Sequence, residues 1–295
     1  MYPILFQYNN FQISTYGFML MLAFLVCNYL LKKYLIFINE DGSIAEDIIF
    51  YAAIGGILGA KIFYIIEYYP TDGYNNIQGF LDILRGIITF NLTLIINGIQ
   101  NFGSGLVFLG GLIGGTLSVS YYTYKNNLNW LTVSDWVAPY LILGQAIGRL
   151  GCFFVGCCYG LPSNNYFFSF PNGRPPTTYE SFMYNHPTVF EKLVSPFYFP
   201  GDLIKVYPTQ LFEFIIYLSI FYYLSYKRNF KKYNGQIFFE YLFLAGLSRF
   251  FIEYYRLNPS YLFGLTSAQI ISTFMIIISI FMIFSKSKYL SLWKK

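Results

Sequence analysis

The sequence predicts an all-α, polytopic integral membrane protein of about seven transmembrane helices with an extracytoplasmic lobe. Three observations carry this. Charged residues are 11% of the 295-residue chain, against roughly 25% in ordinary soluble domains. Apolar residues reach 56%, too many for a globule to cover with polar surface, so much of the chain has lipid as its solvent. Finally, the apolar residues gather into runs of about 20, the length that crosses a bilayer.

Taken in order, the runs are 16–36, 47–69, 104–124, 134–156, 207–226, 236–256 and 264–285, set in a single membrane domain over 1–295. A further apolar piece, ILRGIITFNLTLIING (83–98), is short and interrupted by Arg85 and Asn91. It reads as interfacial or re-entrant. Residues 157–206 hold Pro, Asn, Ser and the single histidine, His186, and lack a long apolar run. They read as a lobe outside the membrane, with His186 exposed. The N-terminus, MYPILFQYNNFQIST, has neither a basic n-region nor a small-residue cleavage site, so no removable signal peptide is expected.

Positive charge sets the expected orientation. Under seven spans, one side holds Lys32, Lys33, Lys125, Lys227, Arg228, Lys231, Lys232, Lys286, Lys288, Lys294 and Lys295. The other holds Arg85, Arg174, Lys192, Lys205 and Arg256. The richer side is cytoplasmic, which places the N-terminus and the lobe outside and the C-terminus inside. The net charge of +5 is modest, and no basic patch is interleaved with aromatics, so no nucleic-acid partner is expected.

Glycines four apart supply packing strips: Gly55 and Gly59, Gly110 and Gly114, Gly111 and Gly115, Gly144 and Gly148. Such strips let helix backbones approach closely in lipid.

Lys61, Arg149 and Arg249 lie inside spans. A central arginine costs roughly 2.5–3.5 kcal/mol even on translocon scales, so each needs a partner or a task. For Lys61 a snorkelling or structural role suffices. Arg149 lies seven residues, or ~10 Å, below the outer end of its span. Arg249 lies equally far before Arg256, and Glu213 sits at a similar depth on the fifth span. Charges from three helices therefore share one level in the outer half of the membrane. In RFFIEYYR, Arg249, Glu253 and Arg256 are spaced i, i+4, i+7, on one helix face. Glu253 neutralises one arginine and leaves positive charge for an anion. Guanidinium matches phosphate oxygens with paired donors, and the anion at hand is a phospholipid phosphodiester.

GRLGCFFVGCCYG (148–160) places three cysteines beside Arg149. Cys152, Cys157 and Cys158 give only three ligands at poor spacing for zinc, with His186 distant, so no metal and no cofactor is expected. Small, weakly polar filler is the simplest reading. A Cys152–Cys157 disulfide and a thiolate nucleophile near Arg149 stay open.

The same stretch resembles the signature of the prolipoprotein diacylglyceryl transferase family, G-R-x-G-N-F-x-N-x-E-x-x-G. YGFML, GGILGAKIFY, FLGGLIGG, YPTQLFE and GLSRFFIEYYR followed by GLTSAQIIS resemble further family elements in the family's order. The resemblance implies transfer of a diacylglyceryl group from phosphatidylglycerol to a thiol. That thiol is the lipobox cysteine of a prolipoprotein signal peptide, at the outer face of the bacterial inner membrane. A thioether forms and glycerol phosphate leaves. By position, Arg149 would bind the lipid phosphate and Arg249 would assist the leaving group. Glu253 and Arg256 would order the site; Tyr16 and Gln210 would line it, with Glu213 nearby. The chain departs from the family at several positions. Leu109 stands where some members have a histidine thought to be the base, Tyr207 at the His-Pro position, and Lys61 where arginine is usual. Cys152 and Cys157 replace the motif's Asn and Glu. The thiol's base is thus left to Glu253, Glu213 or Tyr16, or to none. A lipid-handling transferase with another acceptor, and a non-catalytic membrane protein of the same fold, remain open alternatives.

Overall fold

Helices form wherever the apolar runs leave the backbone no water to bond with, since a helix satisfies every interior N–H and C=O within itself. The computed structural model describes residues 2–8, 11–103, 105 and 107–292; Lys294 and Lys295 of the expected cytoplasmic charge set, and Ser104 and Leu106 of the expected third span, lie outside them. The order is β1 (Ile4–Tyr8), β2 (Phe11–Ser14), α1 (Thr15–Phe37), α2 (Ser43–Glu67), α3 (Asp72–Ile88), α4 (Leu92–Gly103) and α5 (Phe108–Lys125). Next come α6 (Trp130–Val155), α7 (Tyr179–Asn185) and α8 (Pro187–Val189), which runs into a π-helical turn at Phe190–Val194. Then follow α9 (Thr209–Lys227), α10 (Gln236–Ile252), β3 (Ser260–Leu262), β4 (Leu265–Thr266) and α11 (Ser267–Leu292). Among the described residues four stretches are long and apolar enough to cross a membrane: Thr15–Phe37, Ser43–Glu67, Trp130–Val155 and Ser267–Ser285. The chain is mostly helical, but two small antiparallel sheets, β1–β2 and β3–β4, were not part of the all-α expectation.

The chain divides into two compact units, Leu35–Trp130 and Met1–Tyr34 with Leu131–Lys295. In the first, α2 and α5 touch backbone to backbone. A Cβ placed on Gly59 would stand 2.3 Å from the Gly110 carbonyl oxygen, and one on Gly114 would stand 2.2 Å from that of Gly55. Any side chain there would force the helices apart. Of the two roles open to Lys61, snorkelling or structural, the second is seen: it turns inward and is buried. Its ammonium donates to the Phe102 and Gly105 carbonyls and lies 4.5 Å from the Phe102 ring centroid. The 83–98 piece is not one segment but the end of α3, a turn, and the start of α4. Asn91 breaks it: its Oδ1 accepts from the Thr93 and Leu94 amides at 3.1 and 3.3 Å, capping α4. Gly79 and Gly98 let the two helices close into a hairpin, a Cβ on Gly98 falling 2.7 Å from the Gly79 oxygen.

In the second unit, α6, α9 and α10 share a core of Ala138, Ile142, Ala146, Tyr217, Ile220, Leu224, Ile237, Tyr241 and Ala245. Ala138 and Ala146, eight residues apart on one face of α6 with Ile142 between them, admit the larger side chains opposite, the close van der Waals packing that joins helices in lipid. Asp135 fixes α10 by its start: the buried carboxylate accepts from the Gly235 and Phe238 amides at 2.8 and 3.1 Å, and Lys231 Nζ lies 3.2 Å away. The Gly144–Gly148 pair is not a close backbone contact: a Cβ on Gly144 would meet only Cys27 Sγ at 3.5 Å, an ordinary van der Waals distance, and Gly148 faces open space. The 157–206 segment has its own apolar core of Tyr159, Phe170, Phe182, Val194, Ile204 and Val206. His186 is half-buried rather than exposed, its ring 5.6 Å from that of Phe182. That burial lowers its pKa from the ordinary value.

Gly59→Ala is expected to destabilise the chain by about 1–3 kcal/mol, the usual cost of overpacking. Gly148→Ala leaves stability unchanged. Thermal unfolding in detergent reads both, and equal midpoints for the two variants would refute the backbone contact.

Candidate functional site

Arg149, Glu213, Arg249, Glu253 and Arg256 meet in the second unit, and Glu213 is the centre. It projects from the first turns of α9 with its side chain fully buried. Arg149 Nε on α6 lies 3.1 Å from one carboxylate oxygen. Arg249 Nη1 on α10 donates to the other at 2.8 Å. Arg256 Nη1 reaches the Arg149 side of the carboxylate at 3.5 Å. Glu253, also fully buried in its side chain, pairs with Arg249 Nη2 at 2.9 Å and lies 4.0 Å from Arg256 Nε. Burying a carboxylate without partners costs several kcal/mol, so these contacts tie α6, α9 and the end of α10 together.

One expected detail differs. The helix stops at Ile252, Glu253–Tyr255 form a 3-10 turn, and Arg256 is extended, with φ −102° and ψ 164°. Arg256 therefore does not continue the helical face of Arg249. It reaches Glu213 because a bridge to Gly160 and the Leu161 amide on the Tyr255 oxygen at 2.8 Å seat the chain there. Gly160 is required at this crossing, since a Cβ would lie 2.3 Å from the Tyr255 oxygen.

The charges do not cancel. Three guanidiniums face two carboxylates, leaving one positive charge in surplus. Both carboxylates are sealed off, whereas the Arg149 and Arg249 side chains stay 23% and 21% exposed. Arg149 approaches Glu213 through Nε, and among the described residues Glu213 is its one ion-pair partner. That is a half-open donor fork, suited to an anion that arrives from outside the protein. The bare face at Gly148 adjoins it in sequence.

Tyr16, at the start of α1, is brought to the same region. A Cβ on Gly151 would stand 3.5 Å from its ring and 2.9 Å from Met19, so α1 packs across α6 two residues beyond Arg149. Gln210 is fully buried. Its Nε2 donates to the Cys157 carbonyl at 2.7 Å, so it positions the loop after α6. Its Oε1 has no hydrogen-bond partner among the described residues. Two participants were missed from sequence. Tyr217 donates its hydroxyl to Glu213 at 3.4 Å, an i, i+4 pair that helical spacing could have revealed. Asn258 donates to Glu253 at 2.6 Å from a loop whose path no local pattern announces. Leu109 and Lys61 belong to the other unit, and Tyr207 stacks near the Tyr166 and Tyr255 rings at 5.2 Å from each.

The spacing-based view of the cysteines changes as well. The Sγ atoms of Cys152, Cys157 and Cys158 all lie within 4.8 Å of one another.

Long apolar helices and a net-positive arginine cluster in one unit define a multi-pass membrane protein. The chain belongs to the prolipoprotein diacylglyceryl transferase family, whose model matches residues 3–285. It is 34% identical over 287 residues to the phosphatidylglycerol–prolipoprotein diacylglyceryl transferase of Clostridium tetani, covering 95% of this chain and 96% of that one. It is 31% identical over 294 residues to the Clostridium botulinum protein of the same name, with 97% of both chains covered. The Buchnera aphidicola transferase is 29% identical over 296 residues, covering 94% of each chain.

Glu213→Gln is expected to lower stability by about 3–5 kcal/mol, because it strands buried guanidiniums. Arg149→Gln costs much less, since Glu213 keeps Arg249 and Arg256. Denaturation in detergent separates the two, and equal losses would contradict the central place given to Glu213.

Proposed function

We propose that this chain transfers the diacylglyceryl group of phosphatidylglycerol to the cysteine thiol of a prolipoprotein signal peptide, and that Arg149, Arg249 and Arg256 form the phosphate site. The observation that carries the assignment is the surplus guanidinium charge around Glu213 and Glu253, with the Arg149 fork left open. Arg149 clasps the lipid phosphate. Arg249, held by both carboxylates, steadies the charge that develops as the glyceryl carbon parts from its phosphate oxygen, the kind of preorganised stabilisation that lowers a barrier most. Glu253 and Arg256 hold the geometry. Tyr16 offers a polar atom to the headgroup, and the buried Gln210 lines the site from behind by holding the Cys157 carbonyl.

The reaction balances as a displacement. The thiol sulfur forms a bond to the glyceryl carbon, the carbon–oxygen bond breaks, and glycerol phosphate leaves with the electron pair. Both carboxylates are already engaged by guanidiniums, which makes them poor proton acceptors. The freed phosphate oxygen takes the thiol proton, in keeping with a second phosphate pKa of about 6. No base at the Leu109 position is then required.

In this reading α1, α2, α5, α6, α9, α10 and α11 cross the bacterial cytoplasmic membrane. The N-terminus and the 157–206 lobe lie outside and the C-terminus inside, as the lysine bias argues.

Complementation of a strain depleted of its own transferase tests the function, read as lipid attachment to a precursor. The wild-type chain restores attachment. Arg149→Gln and Arg249→Gln lower it by about 100-fold or more, the scale of losing one transition-state donor, while still inserting. Failure of the wild-type chain would count against the acceptor, and full turnover in both variants against the site.

A further inference from the structure

We propose that Cys152, Cys157 and Cys158 form a three-thiolate site for a soft metal ion of the copper(I) class. The case begins with the backbone. Cys152 lies in the last turn of α6, and the chain then doubles back through Gly156, whose φ is +73°. The Gly156 and Cys157 amides both bond the Cys152 carbonyl, at 3.0 and 3.1 Å. Cys158 adopts φ +63°, a left-handed conformation uncommon for any residue but glycine, asparagine or aspartate. Such strain persists only where the surroundings enforce it, and here they do. From the start of α9, Gln210 holds the Cys157 carbonyl at 2.7 Å and Thr209 Oγ1 holds that of Cys158 at 2.9 Å. The result folds three thiols from a seven-residue stretch onto one another, within 4.8 Å.

That spacing suits one metal. Sulfurs bound at about 2.3 Å around a shared ion stand about 4 Å apart, so only small rotamer adjustments separate the thiols from coordination. The number of ligands selects the class. Among the described residues the cluster contains three thiols and neither histidine nor carboxylate. Zinc wants a fourth ligand, and iron–sulfur clusters take four cysteines. The remaining cysteine, Cys27, is buried elsewhere with its thiol on the Tyr140 carbonyl at 3.2 Å. All-thiolate coordination favours a soft ion. A disulfide would use two sulfurs and leave the third without a role. Filler does not account for a strained backbone braced by two side chains of another helix.

Charge completes the fit. Binding releases the thiol protons to solvent, and three thiolates on a monovalent ion carry two net negative charges. The fields of the Arg149 and Arg256 guanidiniums reach Cys158 and lessen the cost of that charge without cancelling it.

The full chain, purified in detergent under anaerobic reducing conditions, is titrated with copper(I) against the chromophoric chelator bathocuproine disulfonate. One copper(I) per chain is expected, with X-ray absorption showing three sulfur neighbours at about 2.3 Å. Cys152→Ser and Cys158→Ser each weaken binding by about 100-fold or more, beyond the 10- to 100-fold typical of outer-shell losses. Cys27→Ser binds as the wild type does, which shows that removing a buried cysteine does not by itself abolish the site. Nitrogen or oxygen ligands in the wild-type spectrum would overturn the proposal. So would unchanged affinity in the serine variants, or a chain that loses two hydrogens to a disulfide and holds no copper. The readout is metal binding, so it stands or falls independently of lipid transfer.

Discussion

The second unit is organised around one buried carboxylate. Glu213 is sealed from solvent and surrounded by guanidiniums from α6, α10 and the chain just beyond α10. An unpaired carboxylate in an apolar surround costs several kcal/mol, and unpaired guanidiniums are no better placed. Each group is tolerable only when the others are present, so the helices that carry them cannot separate independently. The same mutual dependence leaves a functional remainder. Three guanidiniums share two carboxylates, so the cluster keeps one positive charge in surplus, which is what the proposed phosphate site rests on. A fully neutralised network would have held the helices equally well and had no use for a phosphate.

Packing elsewhere follows a different rule. Between α2 and α5 the helices are joined mainly by contact of bare backbones at Gly55, Gly59, Gly110 and Gly114, with the Asp47 carboxylate accepting from the Tyr122 hydroxyl at 3.0 Å. Lipid supplies little hydrophobic drive between helices, so close approach and dispersion must do the work. Lys61 sits at the edge of this arrangement with its ammonium spent on carbonyl oxygens and an aromatic face. It serves the fold and is not drawn to the membrane surface.

Particular residues show why some features could be read in advance. The positions of Arg149, Arg249, Glu213 and Glu253 were legible because a charge inside an apolar run is conspicuous, and the rise of a helix converts residue number into depth. The glycine strip of α2 and α5 was legible for a similar reason, since four-residue spacing maps onto one helix face. Gly148 carries the same spacing yet faces open space, because spacing names a face and not what lies against it. The interruption of the 83–98 piece at Asn91 is visible in the sequence, but its use as the cap of α4 is seen only in the folded chain. Short strands such as Ile4–Tyr8 and Ser260–Leu262 carry too few residues for any periodicity to stand out.

By itself the sequence determined that this is a helical membrane protein with buried guanidiniums at a common level and a family signature around Arg149. Those properties depend on composition and on spacing along single helices, which are local quantities. Only the tertiary structure decided that Arg256 joins the site from beyond the helix end, and that Asn258 and Tyr217 complete the carboxylate shells. It alone brought three cysteines into one cluster, because that depends on a loop being braced by Gln210 and Thr209 some fifty residues away in the chain. Contacts of that range arise from how helices pack against one another, which no pattern along a single segment encodes.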